Sequence, residues 1–190
     1  ADSTFTNCTS RNRDGVLFSA TGYQLSDSIF TITGSQFTLG DRWLLLDNMS
    51  NIELTHSTVS QFQTIYFVVV QTGYYESATS LNLTQLEISD SSSDGFLFFM
   101  DVAENIHVSG LTLNNNQVSD SLIHIDSVSS IITSAHLSQI EANNNQAQRF
   151  VNASGSVTSF VLEQANLINN SFSNGQLMLT TSPDVHLLNV

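Results

Sequence analysis

Ile106-His107-Val108-Ser109-Gly110-Leu111-Thr112-Leu113-Asn114-Asn115-Asn116 carries the reading of the fold. The stretch runs apolar, polar, apolar, then two small residues, then apolar, polar, apolar, and closes on three asparagines. A period of two is the mark of a strand with one buried face. Ser109-Gly110 separates two such strands and predicts a sharp bend between them. Leu81, Leu83, Leu86 and Ile88 repeat the pattern 25 residues earlier. Ala135, Leu137, Ile140 and Ala142 repeat it 29 residues later, and Asn143, Asn144 and Asn145 follow them. Phe160, Leu162, Ala165 and Leu167 lead into Asn169 and Asn170. Upstream, Ile52, Leu54, Ser57 and Val59 fit, as do Phe30, Ile32, Ser35 and Phe37 more loosely, while Val185 and Leu187 begin another copy.

Each copy also holds a second apolar segment. These are Val16-Leu17-Phe18, Trp43 to Leu46, Ile65 to Val70, Phe96 to Met100, Leu122 to Ile125, Phe150-Val151 and Leu177 to Leu179. Nowhere does helical spacing persist. A repeat of this length with three short strands per turn predicts an all-β fold, a right-handed parallel β-helix (solenoid) of about seven coils. Neighbouring coils would pair about 4.8 Å apart, giving a rod roughly 35 Å long. Equivalent side chains then stack in columns. Leu54, Leu83, Val108, Leu137, Leu162 and Leu187 form one inward column, and Ile52, Leu81, Ile106, Ala135, Phe160 and Val185 form another. A slip of one residue would turn both columns to water, so burial sets the register. The asparagine runs are expected at the bends, where Asn tolerates left-handed backbone, with stacked amides bonding from coil to coil.

Composition narrows the partners. Hydrophobic residues make up 41% of the 190-residue chain and charged residues 11%, which argues for a packed core over disorder. There is no lysine, only Arg11, Arg13, Arg42 and Arg149, and the net charge is −13. Such a surface repels phosphate backbones and anionic headgroups, so neither nucleic acid nor membrane insertion is expected. No apolar run approaches the ~20 residues that span a bilayer. The lone Cys8 has no partner of its own kind in the sequence and reads as a small buried residue or as half of a bridge to another segment.

The repeat shape and the asparagines after the second strand resemble the pectin-lyase-like β-helix superfamily, and the composition is similar to the large Ser- and Asn-rich surface proteins of protists. The resemblance covers nearly the whole chain and implies fold more than activity. Hydrolases of that superfamily would show Asn-x-Asp, an Asp-Asp pair, Gly-His-Gly and Arg-x-Lys. Asn12-Arg13-Asp14 alone matches Asn-x-Asp, while the Asp-Asp pair, Gly-His-Gly and Arg-x-Lys are absent, so the resemblance implies no catalytic residue and no enzyme.

Several residues remain as candidates. Asp101 and Asp126 share a repeat position, Asp47 resembles them, and Glu104 is near; their oxygens are the weak candidate for Ca²⁺, while His107 and His136 on successive coils could hold a metal but show no third ligand, and no cofactor is otherwise expected. His107, His136 and His186 also share a position, His124 alternates outward between Ile123 and Ile125, and His56 falls in a bend. Five N-glycosylation sequons occur at Asn7, Asn48, Asn82, Asn152 and Asn169, where glycans would shield an outward face. Tyr74 and Tyr75 offer rings that stack on sugar or cover a coil. Residues 1–190 read as one β-helix segment of a longer chain or of an end-to-end stack, with no cap at either end. The functional expectation is an extracellular or cell-surface structural protein, a stiff rod or subunit of a filament or adhesive coat, glycosylated and joined to copies of itself or to adjoining coils. The alternative is a carbohydrate-active or carbohydrate-binding β-helix.

Overall fold

The computed structural model describes residues 3–5, 18–21, 29–33, 35–40, 44–47, 51–66, 68–71, 78–96, 98–101, 103–126 and 131–190, with side chains at 55–61, 80–95, 104–126, 131–178 and 180–190. The first strands are β1 (Ser3–Phe5), β2 (Phe18–Thr21), β3 (Ile29–Thr33), β4 (Ser35–Gly40), β5 (Leu44–Asp47), β6 (Asn51–Tyr66) and β7 (Val68–Gln71). There follow β8 (Ala78–Ser89), β9 (Ser92–Phe96), β10 (Phe98–Asp101), β11 (Ala103–Ser109), β12 (Thr112–Asn114), β13 (Gln117–Val118) and β14 (Ser121–Asp126). The last are β15 (Ile132–Asn143), β16 (Gln146–Ala153), β17 (Val157–Ile168), β18 (Ser171–Thr180) and β19 (Asp184–Leu188).

Every pairing between these strands is parallel. One ladder runs β3, β6, β8, β11, β15, β17, β19. A second runs β2, β5, β7, β10, β14, β16, β18. Parallel neighbours a full repeat apart in sequence are the arrangement of a β-solenoid. About four turns, from β8 to β18, are described almost continuously, against the seven or so expected for the whole chain. The earlier strands add pairings to the same ladders.

Register follows the columns read from the sequence. Leu54 pairs with Leu83, Leu83 with Val108, Val108 with Leu137, Leu137 with Leu162 and Leu162 with Leu187. Leu83, Val108, Leu137 and Leu162 are buried, as are Leu81, Ile106, Ala135 and Phe160 of the neighbouring column. Each fully buried Leu or Ile stabilises the coil by roughly 1.5–3 kcal/mol, so the two columns supply much of the drive to stack. Ser57 stands opposite Leu86 in this core, and its Oγ–H donates to the Thr55 carbonyl at 3.0 Å.

The bends have a common backbone device. Among the described residues, the non-glycine positions with positive φ all lie in two columns. The first holds His56, Gln85, Gln139, Gln164 and Asn189, with Gly110 (φ 69°) in the same column. The second holds Gln61, Asp90, Asn115, Asn144 and Asn169. Left-handed backbone costs an L-residue about 1–2 kcal/mol, so these corners are held by the ladders on either side of them. Gln85 packs under Gly110, and a Cβ on Gly110 would stand 3.4 Å from the Gln85 Cγ.

Candidate functional site

The three positions of each run, the first of which is Ile168 in the last run, do three different things. Asn115, Asn144 and Asn169 take the left-handed corner, with φ between 54° and 57°. Asn114 and Asn143 stack beside them, the Asn143 Nδ2 donating to the Asn114 Oδ1 at 3.1 Å. The third position turns into the core. Asn116 and Asn145 are buried, and Asn170 is half-buried. Asn116 Nδ2 donates to Asn145 Oδ1, and Asn145 Nδ2 donates to Asn170 Oδ1, both at 2.9 Å. Each amide also donates to the carbonyl of the preceding coil, at Ile88, Leu113 and Ala142 respectively. Backbone N–H groups complete the set, Ser91 donating to Asn116, Asn116 to Asn145 and Asn145 to Asn170. Ser91 occupies the ladder position one coil earlier. The expected amide ladder is present, and Asn170, not Asn169, is its member in the last run.

A second column crosses the outer face of the first sheet. It reads Asn82, His107, His136, Val161, His186. His107 and His136 are in edge-to-face contact with ring centroids 5.4 Å apart and planes at 75°. Glu163, on the next coil, places its Oε1 3.0 Å from His136 Nε2. His186 instead meets Asp184 at 3.0 Å, because Val161 separates it from His136. The sequence spacing aligned the histidines; it did not single out Glu163, which reaches His136 diagonally from the neighbouring strand.

His124 departs from its expected solvent-facing place. It is 7% exposed, in a strand where five successive residues of β14 are buried. Period-two alternation predicts a wet face only where nothing covers the sheet. The Asn152 Nδ2 donates to its Nδ1 at 3.2 Å, and its Nε2 stands 4.0 Å from Asp126. Burial is the main cause that lowers the His124 pKa, and Arg149 adds to it, while Asp126 and Asp120 oppose. Arg149 itself is paired, its Nη1 donating to Asp120 at 3.1 Å.

Asp101 and Asp126 are register partners on adjacent coils, and Asp126 accepts a hydrogen bond from the Ser154 Oγ at 3.2 Å. The Asp101 and Asp47 side chains lie outside those described, and Glu104 is exposed. Among the described residues no three His, Cys, Asp or Glu side chains converge on a metal position. The sequons separate by environment. Asn82 lies half-buried between the inward Leu81 and Leu83, and Asn169 is exposed at its corner. Asn152 is 8% exposed, and its Nδ2 donates to the His124 Nδ1. Asn7, Asn48, Cys8, Arg11, Arg13, Arg42, Tyr74 and Tyr75 lie outside the described residues.

A shallow groove of about 290 Å³ runs across three coils and is lined by Gln117, Ser119, Gln146, Gln148 and Ser171, among others. Among the described residues no helix is long and apolar enough to cross a membrane. The chain matches no protein-family model, no curated protein and no solved structure.

Proposed function

We propose that this chain is an extracellular structural protein of the pectin-lyase-like, right-handed β-helix kind, similar to the Ser- and Asn-rich surface proteins of protists. It would serve as a stiff rod or as a subunit of a surface filament or adhesive coat. The observation that carries this reading is the Asn116–Asn145–Asn170 column. Each of its links bonds one coil to the next, and such a ladder serves axial cohesion rather than chemistry at a surface. The outer face supports the same reading through its many Ser, Thr, Asn and Gln groups, among which carboxylates such as Glu87 and Glu141 are interspersed. Val185 and Leu187 continue the two inward columns, in register with Phe160 and Leu162. N-glycans are proposed at Asn82 and Asn169, and also at Asn7 and Asn48.

Electron microscopy of the native particle tests the proposal. The expected image is a continuous fibre or straight rod with an axial repeat of about 4.8 Å per coil. Isolated monomers that never associate end to end at cell-surface concentrations would count against it. The groove across Gln117, Gln146 and Ser171, which Val118 and Ala147 also line, favours a second reading, a carbohydrate-binding β-helix. Monomers that bind or cleave polysaccharide would favour that reading instead.

A further inference from the structure

The paired imidazoles on the outer face do something that axial cohesion does not call for. His107 and His136 are register partners on β11 and β15, with ring centroids 5.4 Å apart and planes at 75°. Two imidazoles that share one ion at nitrogen–metal distances of about 2.0–2.1 Å hold their ring centres roughly 5 Å apart in tetrahedral geometry. The centroid spacing of the observed pair is close to that value, and from the edge-to-face arrangement the rings must rotate about their side-chain torsions to turn a nitrogen of each toward a common point. The backbones of the pair are fixed on both sides, β11 by β8 and β15, and β15 by β11 and β17. The Cα positions are therefore set before an ion arrives, and ordering the two side chains is the remaining cost.

Glu163 supplies an independent observation. Its Oε1 lies 3.0 Å from His136 Nε2. A carboxylate in that place holds the ring proton on Nε2 and leaves the Nδ1 lone pair for a metal, the same support that carboxylates give to metal-binding histidines elsewhere. The His136 and Glu163 side chains are 38% and 33% exposed, so solvent reaches the pair and water can fill the remaining coordination positions.

The geometry points to a divalent transition-metal site on the outer face of the coil, with His107 and His136 as ligands and Glu163 as the residue that orients His136. Imidazole donors favour Cu²⁺, Ni²⁺ or Zn²⁺ over Ca²⁺ or Mg²⁺. Val161 takes the next position in the column, so one ion per chain is expected here.

Titration of the 190-residue chain with Ni²⁺ or Zn²⁺, followed by calorimetry and by the imidazole proton resonances, tests the site. One saturable equivalent should bind, and Ni²⁺ should broaden the His107 and His136 signals before those of His56 or His186. His107→Ala and His136→Ala should each lower affinity by at least about tenfold, and Glu163→Gln should weaken it by about 10–100-fold. His186→Ala should bind as the parent does. All four positions are at least partly exposed, and an unchanged far-ultraviolet spectrum checks that each variant is folded. Absence of saturable uptake, or uptake that survives the double His107→Ala/His136→Ala variant, overturns the assignment. Unchanged affinity in Glu163→Gln removes the orienting role.

Discussion

Asn145 uses all of its side-chain hydrogen-bonding capacity inside the core. It donates to Leu113 and to Asn170 and accepts from the backbone and the side chain of Asn116. A buried amide is tolerable only when satisfied in this way, and head-to-tail amides strengthen one another. Asn145→Ala leaves several of those groups without partners and opens a void. The expected loss is about 3–5 kcal/mol, read from urea unfolding, while the exposed Asn166→Ala should stay within about 0.5 kcal/mol. Equal effects at the two positions would mean that the ladder adds nothing. His124 gives a pH signature. Burial lowers its pKa from the ordinary imidazole value of 6.5, so the unfolded chain takes up a proton before the folded one does. Its contribution is present above pH 6.5 and is lost as the pH falls from there through the folded value. The Tm of the parent should therefore fall more between pH 7.5 and 5.5 than the Tm of His124→Gln. Parallel pH curves for the two would contradict the burial.

At the scale of the strand, the two-residue period and the column spacing agree. Leu137 sits between Val108 and Leu162 on adjacent coils and is fully buried. Leu137→Ala should cost about 2–5 kcal/mol, because parallel neighbours on both sides prevent the cavity from collapsing. Thermal unfolding followed by circular dichroism measures it, and a loss under about 1 kcal/mol would mean that the core is loosely packed there. The strands were legible because their inward residues are large and apolar. The corners were only partly so. Asn115 and Asn144 announced themselves, since Asn tolerates left-handed backbone. Gln85, Gln139 and Gln164 carry no such signal, and their positive φ comes from the ladders that grip both flanks.

The described strands form a stack in which each coil touches chiefly its neighbours. Stability of such a stack grows by interface terms, one rung at a time. The proposed rod and its end-to-end growth belong to this scale. So does the electrostatic cost of assembly, because a net charge of −13 makes like rods repel until salt screens them. The fibre image is accordingly best sought at physiological salt or above.

By itself the sequence determined the parallel solenoid, its register and its inward columns. Burial leaves a periodic chain only one way to hide Leu83, Val108, Leu137 and Leu162 together. It also marked the asparagine runs, although not which asparagine turns inward. Tertiary structure alone decided that His124 and Asn152 are buried, that Glu163 meets His136, and that Asn170 rather than Asn169 continues the ladder. These outcomes depend on side chains more than 20 residues apart in sequence, brought within reach by stacking, and no local pattern encodes such a meeting.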